Sequence, residues 1–490
     1  KKEEKATLIK EVKATIRKEE KATLKKEEKA AAQPGTDTIT RDVKLILLGN
    51  SNSGKTNLVN YLQTGNYLGE RNSTHGLDVI RWHPDPKRFP LLKDVYVSIW
   101  DFGGQEYYHE AYRLFLSANA VYIVMWEKDT DKNFRKLTKV ANDKEEELEH
   151  FEKRYWLDTV RHYGKKKKTA PLTLVQNKTD IPAEDKLRIS QEMFTEYSLM
   201  ETYHISLREG CNTSNKQQVR ILQNFEQDIE TILLRAADEA TTKASWQIIR
   251  SEILRLQEND FIGENAFKKN KGHIKEDTWI DLADFNEVCK TLTTGALTDL
   301  ELFTLPRWLD KCGVVVYFEK NDRLNDKVFI NPKKLSEKIY TILNDEVRSK
   351  KGEFNKKDIG GDENFKTTFI EAVLALELVF PHPETQDRFI APQYLPAKHA
   401  IEDLFRIASA NAWQDSFWIK VPLFYYKKLL NQLILKYVGD STVEARYFWK
   451  HGIVFVKNNL RVMIKGLYPN ENESEGVLLV GVEQGDAKKS

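Results

Sequence analysis

The predominantly apolar run Val43–Leu48 stops at a glycine. The octapeptide that follows, Gly49-Asn50-Ser51-Asn52-Ser53-Gly54-Lys55-Thr56, has the spacing G-x-x-x-x-G-K-[ST]. A strand that ends in such a loop, with a helix opening from it at Asn57–Leu62, leaves few folds open. Val95–Trp100, Ala120–Trp126 and Pro171–Val175 are similar runs, and Tyr203–Ile205 is a shorter one. Continuous apolar runs of this length, separated by helical stretches, indicate strands covered on both faces and therefore a parallel sheet. Leu77–Ile80 adds one further strand at a sheet edge. These elements predict an α/β domain over residues 41–240. The charged stretch Asp129–Arg154 inside it reads as a surface helix or an insertion, and Lys165–Lys168 as a solvated loop.

The remaining regions differ in pattern. Residues 241–350 read as mostly helical, from the spacing of Trp246, Ile249, Ile253 and Leu254 and from Ile280–Leu292 and Leu297–Leu309. Strands are expected at Val314–Phe318 and Lys327–Ile330, with Pro332 opening a helix. Beyond a polar link, Ser349–Asp362, residues 351–490 read as an antiparallel α+β domain. Its strands fall near Phe417–Val421, Tyr447–Val456, Leu460–Ile464 and Val477–Val482, around a helix at Leu423–Tyr437. Residues 1–40 repeat a Glu-Lys-Ala-Thr-Leu pattern with a period of eight. Eight residues advance a helix about 80° past whole turns, so Leu8, Ile16 and Leu24 share no stripe. The segment reads as a solvated helix or a disordered tail.

Composition narrows the partners. At 490 residues the chain exceeds one ordinary core. Its 76 basic and 74 acidic residues give a net charge of +2, which supplies no general attraction to nucleic acid or an anionic membrane. A faint helix-turn-helix likeness at Ile280–Leu292 lacks the basic recognition helix that DNA binding needs. Cys211, Cys289 and Cys312 lie far apart without metal-ligand spacing, which suits a reducing cytoplasm. No apolar run approaches the roughly 20 residues that span a bilayer. The chain starts at Lys1 without a signal-peptide core and reads as a piece of something longer.

Three motifs carry chemistry. In Gly49–Thr56, successive backbone N–H groups would curl round a β-phosphate, with Lys55 on the β- and γ-oxygens and the Thr56 hydroxyl on Mg²⁺; Asn57 follows on the helix. In Asp101-Phe102-Gly103-Gly104-Gln105, Asp101 faces Mg²⁺ through water, the Gly104 N–H meets the γ-phosphate, and Gln105 orients the attacking water. In Asn177-Lys178-Thr179-Asp180, Asp180 can accept from guanine N1–H and the 2-amino group. Adenine offers neither, so a buried carboxylate there would stay unpaired. Asn177 bonds N7 or braces the phosphate loop, the Lys178 stem covers the ring, and the Ser206–Leu207 loop meets O6. Thr74, in Ser73-Thr74-His75-Gly76, is the first-switch candidate that completes Mg²⁺ coordination while the γ-phosphate is present. Arg113 is a candidate for meeting developing charge, against the plainer reading of a surface ion pair. His109 beside Tyr107-Tyr108 reads as packing. Ser51 and Asn52 crowd the γ-phosphate, which predicts slow hydrolysis in the isolated monomer.

The residues Trp100–Glu106, Ser73-Thr74-His75-Gly76, and Tyr155-Trp156-Leu157 ahead of His162-Tyr163-Gly164 resemble the Ras-like Roc GTPase domain of Roco proteins. Ser245-Trp246, Trp308-Leu309 with Gly313–Phe318, Val328–Pro332 and Phe389–Pro392 with Leu395-Pro396 resemble the COR domain that follows it. The likeness covers about 42–485 and is nearest to bacterial members. It implies a Ras-like P-loop GTPase fold at 41–240, a helical COR-A at 241–350 and an α+β COR-B at 351–490. It further implies GTP and GDP as ligands, Mg²⁺ as cofactor, and homodimerisation through COR coupled to nucleotide state, with signalling partners upstream and downstream. Leu207 and Arg208 depart from the Ala-Lys of small GTPases, at a place where the base contact is made by backbone. A scaffold that holds GTP with little turnover is the competing reading.

Overall fold

A computed structural model describes residues 41–484 apart from 70–75, 105–114, 117–119, 133–134, 140–144, 165–169, 181–188, 213–214, 239–242, 260–266, 268–273, 276–277, 295–296, 348–349, 376–377, 383–384, 397–414, 439–441, 444 and 468–474. The repeat tail, Thr74, Gln105, Tyr107–His109, Arg113 and Lys165–Lys168 therefore lie outside the described residues.

The first domain is built on a six-stranded sheet. Its strands are β1 (Arg41–Leu48), β2 (Leu77–Trp82), β3 (Val95–Phe102), β4 (Ala120–Trp126), β7 (Leu172–Gln176) and β8 (Glu201–His204), in the order β2-β3-β1-β4-β7-β8. All neighbours are parallel except β2, which runs antiparallel to β3. Every residue of β4 is buried, and β1 is buried from Asp42 on, which is why both read as uninterrupted apolar runs. The edge strand β2 is half-exposed along most of its length and gives a weaker pattern.

Two helices, α1 (Lys55–Thr64) and α4 (Lys216–Asp238), close one face. In α4, Leu222, Phe225, Ile229 and Leu233 recur at helical spacing and pack on Val43, Leu45, Leu47, Val121 and Ile123. The opposite face, with Ile46, Leu48, Trp100, Phe102, Tyr122 and Trp126, packs on α2 (Lys153–Thr159). Its core continues into Trp279, Phe329, Ile339 and Tyr340 of the second half of the chain. A third helix, α3 (Gln191–Tyr197), precedes β8.

The charged stretch after β4 is an insertion rather than a long helix. A short helix, Lys128–Lys132, leads to the antiparallel hairpin β5 (Arg135–Lys139) and β6 (Glu145–Glu149). The register sets Arg135 opposite Glu149 and Lys139 opposite Glu145, a cross-strand charge match that favours pairing.

In the second half, α5 (Ala244–Glu258), α6 (Leu282–Leu292) and α7 (Asp299–Lys311) share a core of Ile249, Ile253, Phe285, Val288, Leu305 and Leu309. A reciprocal Thr298–Glu301 capping box starts α7. The strand expected at Val314–Phe318 reduces to one bridge, Val316 to Phe329. Side chains take its backbone groups instead: Gln257 Nε2 donates to Val314 O at 2.8 Å, and Asp310 Oδ1 accepts from Tyr317 N–H at 3.3 Å. Short strands β9 (Ile274–Lys275), β10 (Trp279–Asp281) and β11 (Lys327–Val328) form a small sheet in the order β11-β10-β9. Pro332 is the first residue of α8 (Pro332–Thr341), which Asn331 caps.

The polar stretch 349–362 holds a strand, β12 (Glu353–Asn355). It pairs with β14 (Arg388–Ile390), which also pairs with β13 (Phe380–Pro381), beside α9 (Glu363–Ala375). The last unit is an antiparallel sheet of β15 (Asp415–Pro422), β16 (Ala445–Trp449), β17 (Gly452–Lys457), β18 (Leu460–Leu467) and β19 (Glu475–Gln484), ordered β15-β19-β18-β17-β16. Helix α10 (Leu423–Val438) crosses it, with Tyr426, Leu430 and Ile434 facing inward. Among the described residues no helix is long and apolar enough to cross a membrane, and Cys211, Cys289 and Cys312 are all free thiols.

Candidate nucleotide-binding site

Loops at the carboxyl ends of the parallel strands make the site, where an open α/β sheet places its ligands. The loop after β1 turns on backbone that glycine or asparagine tolerates: Gly49, Asn52 and Gly54 have φ of 142°, 64° and 98°. The cradle has no room for extra side chains. A Cβ on Gly49 would lie 2.0 Å from Met125 O, one on Gly54 2.2 Å from Asn177 Nδ2, and one on Gly104 2.1 Å from Ser51 N. Lys55 folds over this loop and donates to Gly49 O and Asn50 O, both at 2.8 Å. Burial lowers its pKa from 10.5 to about 8, with the Asp101 carboxylate opposing. Thr56 Oγ1 donates to Asp101 Oδ2 at 2.7 Å, so the two residues expected at Mg²⁺ meet. The hydroxyls of Ser51 and Ser53 are buried and find no hydrogen-bond partner in the protein. A loop of converging amides, a buried cation, two idle hydroxyls and a hydroxyl–carboxylate pair fits a nucleotide phosphate chain with Mg²⁺ on Thr56 and Asp101.

The second-switch glycines are tied to this cradle. Ser51 N–H donates to Gly104 O at 3.1 Å, and Gly103 N–H donates to Gly76 O at 2.8 Å. Asn57, listed in sequence after Thr56, holds the other side: its Nδ2 donates to Gly69 O at 3.1 Å, and its Oδ1 accepts from Leu68 N–H at 3.3 Å.

The base loop follows β7. Asn177 Nδ2 donates to Ser53 O at 3.0 Å, which makes Asn177 the brace between the two loops, and its Oδ1 accepts from Leu207 N–H at 3.3 Å. Lys178 sits at φ 59° with its Nζ 3.9 Å from Glu127. Ser206 caps the short helix Leu207–Gly210 by accepting from Glu209 N–H, and its own N–H donates to Gln218. Asp180 Oδ2 accepts from Arg208 Nη2 at 2.6 Å.

Sequence reading missed two features here. Asn50 is turned away from the cradle: Nδ2 donates to Phe151 O at 2.7 Å, while Oδ1 accepts from Phe151 N–H at 3.0 Å and Trp156 Nε1–H at 3.2 Å. Only its backbone faces the loop, and nothing in a G-x-x-x-x-G pattern distinguishes such an anchor. Arg208 on Asp180 was visible as a departure from Ala-Lys, but its target was not.

With this geometry in place, the comparisons with known proteins are informative. The family model "Ras of Complex, Roc, domain of DAPkinase" matches residues 44–180, and "C-terminal of Roc, COR-A domain" matches 264–395, running past residue 350. A Roc-COR-CHAT protease of an unknown prokaryotic organism is 26% identical over 319 residues, covering 62% of this chain and 26% of the relative. A Roc-COR-CHAT protease of Runella zeae is 23% identical over 313 residues, covering 62% and 29%. Rab-5B of Plasmodium falciparum is 24% identical over 191 residues, 38% of this chain and 80% of that protein. Among solved structures, Methanosarcina barkeri Roco2 RocCORdC bound to GDP shares the fold at a TM-score of 0.54 and 22% identity, covering 74% of this chain and 99% of that one. The fold and site define a Ras-like GTPase domain joined to a COR region. The chain belongs to the Roco family, as a Roc–COR protein of bacterial type. It spans about a quarter of the length of the prokaryotic relatives it matches.

Proposed function

We propose that this chain is a Mg²⁺-dependent GTP-binding and GTP-hydrolysing switch whose nucleotide state is coupled to homodimerisation through COR. The observation that carries the reading is the brace at Asn177, which puts the phosphate loop and the base-reading Asp180 on one ligand. Mg²⁺, when bound, neutralises charge on the β- and γ-phosphates. Around it, Lys55 supplies a buried cation, Thr56 and Asp101 supply oxygens, and Gly104 brings its backbone against the loop. Thr74 and Gln105 keep their expected roles at Mg²⁺ and the attacking water, and Arg113 that of a candidate for developing charge. Ser51, packed on Gly104, crowds the γ-phosphate side and accords with slow turnover in the monomer.

Dimerisation through COR is supported by β15, the edge strand of the last sheet. Phe417, Trp418 and Ile419 are exposed on it at 52%, 55% and 39%. Three successive large apolar side chains on an open edge favour pairing with a second copy. Three free thiols accord with the cytoplasm. The test is turnover under excess GTP, together with mass in solution with GDP, with a non-hydrolysable GTP analogue and without nucleotide. Phosphate release with a nucleotide-dependent mass supports the switch. Tight binding without turnover supports the scaffold reading.

A further inference from the structure

The COR region touches the switch machinery through one helix face. On α8, Lys333, Ser336 and Tyr340 follow at i, i+3 and i+7 and share a stripe. The stripe lies along β2 and the residue before it. Lys333 Nζ pairs with Asp78 Oδ1 at 3.0 Å. Gly76, at φ 71°, presents a bare Cα to the Tyr340 ring: a Cβ there would lie 2.6 Å from Cδ2 and 2.8 Å from Cε2, with Ser336 Oγ at 3.6 Å. The ring is buried, with 7% exposure.

Gly76 is wired to the phosphate site. Its carbonyl accepts from Gly103 N–H, and the next residue's carbonyl, on Gly104, accepts from Ser51 N–H. Phosphate loop, second-switch glycines, Gly76 and the Tyr340 ring thus form an unbroken series of direct contacts. The first-switch loop is held at both ends. Asn57 ties Gly69 on one side, and Tyr340 seats Gly76 on the other. Thr74 lies two residues before Gly76.

We propose that Tyr340 is a positioning residue for the nucleotide site, acting through Gly76 on the first switch. This rests on the reading of residues 49–56 and 177–180 as a GTP site. Only the GTP state needs Thr74 ordered. Releasing one anchor of the loop raises the entropy cost of that ordering and leaves GDP binding untouched. By linkage, the γ-phosphate and the packing of α8 stabilise each other equally.

The experiment measures equilibrium affinity for GDP and for a non-hydrolysable GTP analogue at saturating Mg²⁺. It uses the full chain and the variants Tyr340→Ala, Tyr340→Phe, Lys333→Ala, Gly76→Ala and Gly76→Ala/Tyr340→Ala. Tyr340→Ala is expected to weaken the analogue about tenfold relative to GDP, within the usual span of allosteric coupling. Tyr340→Phe keeps the wild-type ratio. The double variant loses less than the sum of its singles, because removing the ring removes the clash. A folded Tyr340→Ala protein with the wild-type GTP-to-GDP ratio, or with both affinities falling together, overturns the proposal. If Tyr340→Ala does not fold, Lys333→Ala decides: a shift of about twofold in the same direction supports the coupling, and none overturns it. Failure of the unaltered chain to bind GDP at all would instead remove the nucleotide site itself.

Discussion

The two faces of the Roc sheet are closed in different ways. One is covered by the domain's own helices, α1 and α4, over a core that stays within Roc. The other shares its core with COR, from Trp100 and Trp126 through Trp279 to Tyr340 and beyond. Polar groups are also buried where the halves meet. Arg250 of α5 pairs with Asp42 of β1 at 2.5 Å, with both side chains under 10% exposed. Ser98 Oγ, itself bonded by Arg81, donates to Cys312 O at 3.0 Å. Lys44, fully buried over the Trp100 ring, donates to Phe115 O just after the second switch. The self-closed face provides stability. The shared face makes the state of the switches a matter for COR as well.

Substitutions in the two faces should separate these roles. Arg250→Ala leaves Asp42 buried and unpaired, which should cost about 3–5 kcal/mol, read as a fall in melting temperature, and should alter the response to nucleotide. Ile229→Ala on the self-closed face should cost about 2–5 kcal/mol through its cavity, while the ratio of GTP-analogue to GDP affinity stays as in the parent. If both variants shift that ratio alike, the contrast between the faces is lost. Lys55→Ala removes charge-assisted bonds to phosphate and should weaken both nucleotides by about 2–3 kcal/mol in a binding titration. Asn50→Ala strands the Phe151 N–H and the Trp156 indole N–H and should lower stability by about 1–3 kcal/mol.

A pH series sharpens the comparison further. Burial holds Lys44 near a pKa of about 8, below its ordinary 10.5, with Asp310 opposing and Arg81 assisting. Between those values the unfolded chain binds more protons than the folded one, so stability rises with pH from about 8 to 10.5. Nucleotide-free Lys44→Met should show a flatter rise in melting temperature over that window, and an unchanged rise would contradict the buried charge. Smallest of all, Arg208→Ala breaks an ion pair whose arginine is 64% exposed, and base affinity should change by no more than about 1 kcal/mol.

Much of this was legible in the chain. The parallel strands announced themselves because burial on both faces demands unbroken apolar sequence, and the loops followed from their glycines. The hairpin Arg135–Glu149 was hidden because its information lies in cross-strand charge register, which helical and strand periodicities do not test. Val314–Val316 read as a strand because it is apolar and buried, yet side chains of Gln257 and Asp310 claim the backbone around it. Of the site, Thr56, Asp101, Asn177 and Asp180 were found by spacing. The Gly76–Tyr340 contact joins residues 264 positions apart in the chain (340 − 76 = 264), and no local pattern encodes it.

The account stands on Asp180 reading a guanine ring above a phosphate-binding loop. Calorimetric titration of the parent chain and of Asp180→Asn with GDP, xanthosine diphosphate and ADP tests it most directly, because xanthine offers a carbonyl where guanine has its amino group. The parent should bind GDP at least a hundredfold tighter than the other two, roughly what an unpaired buried polar group costs, and Asp180→Asn should transfer that preference to xanthosine diphosphate. Equal binding of GDP and ADP by the parent would contradict the account.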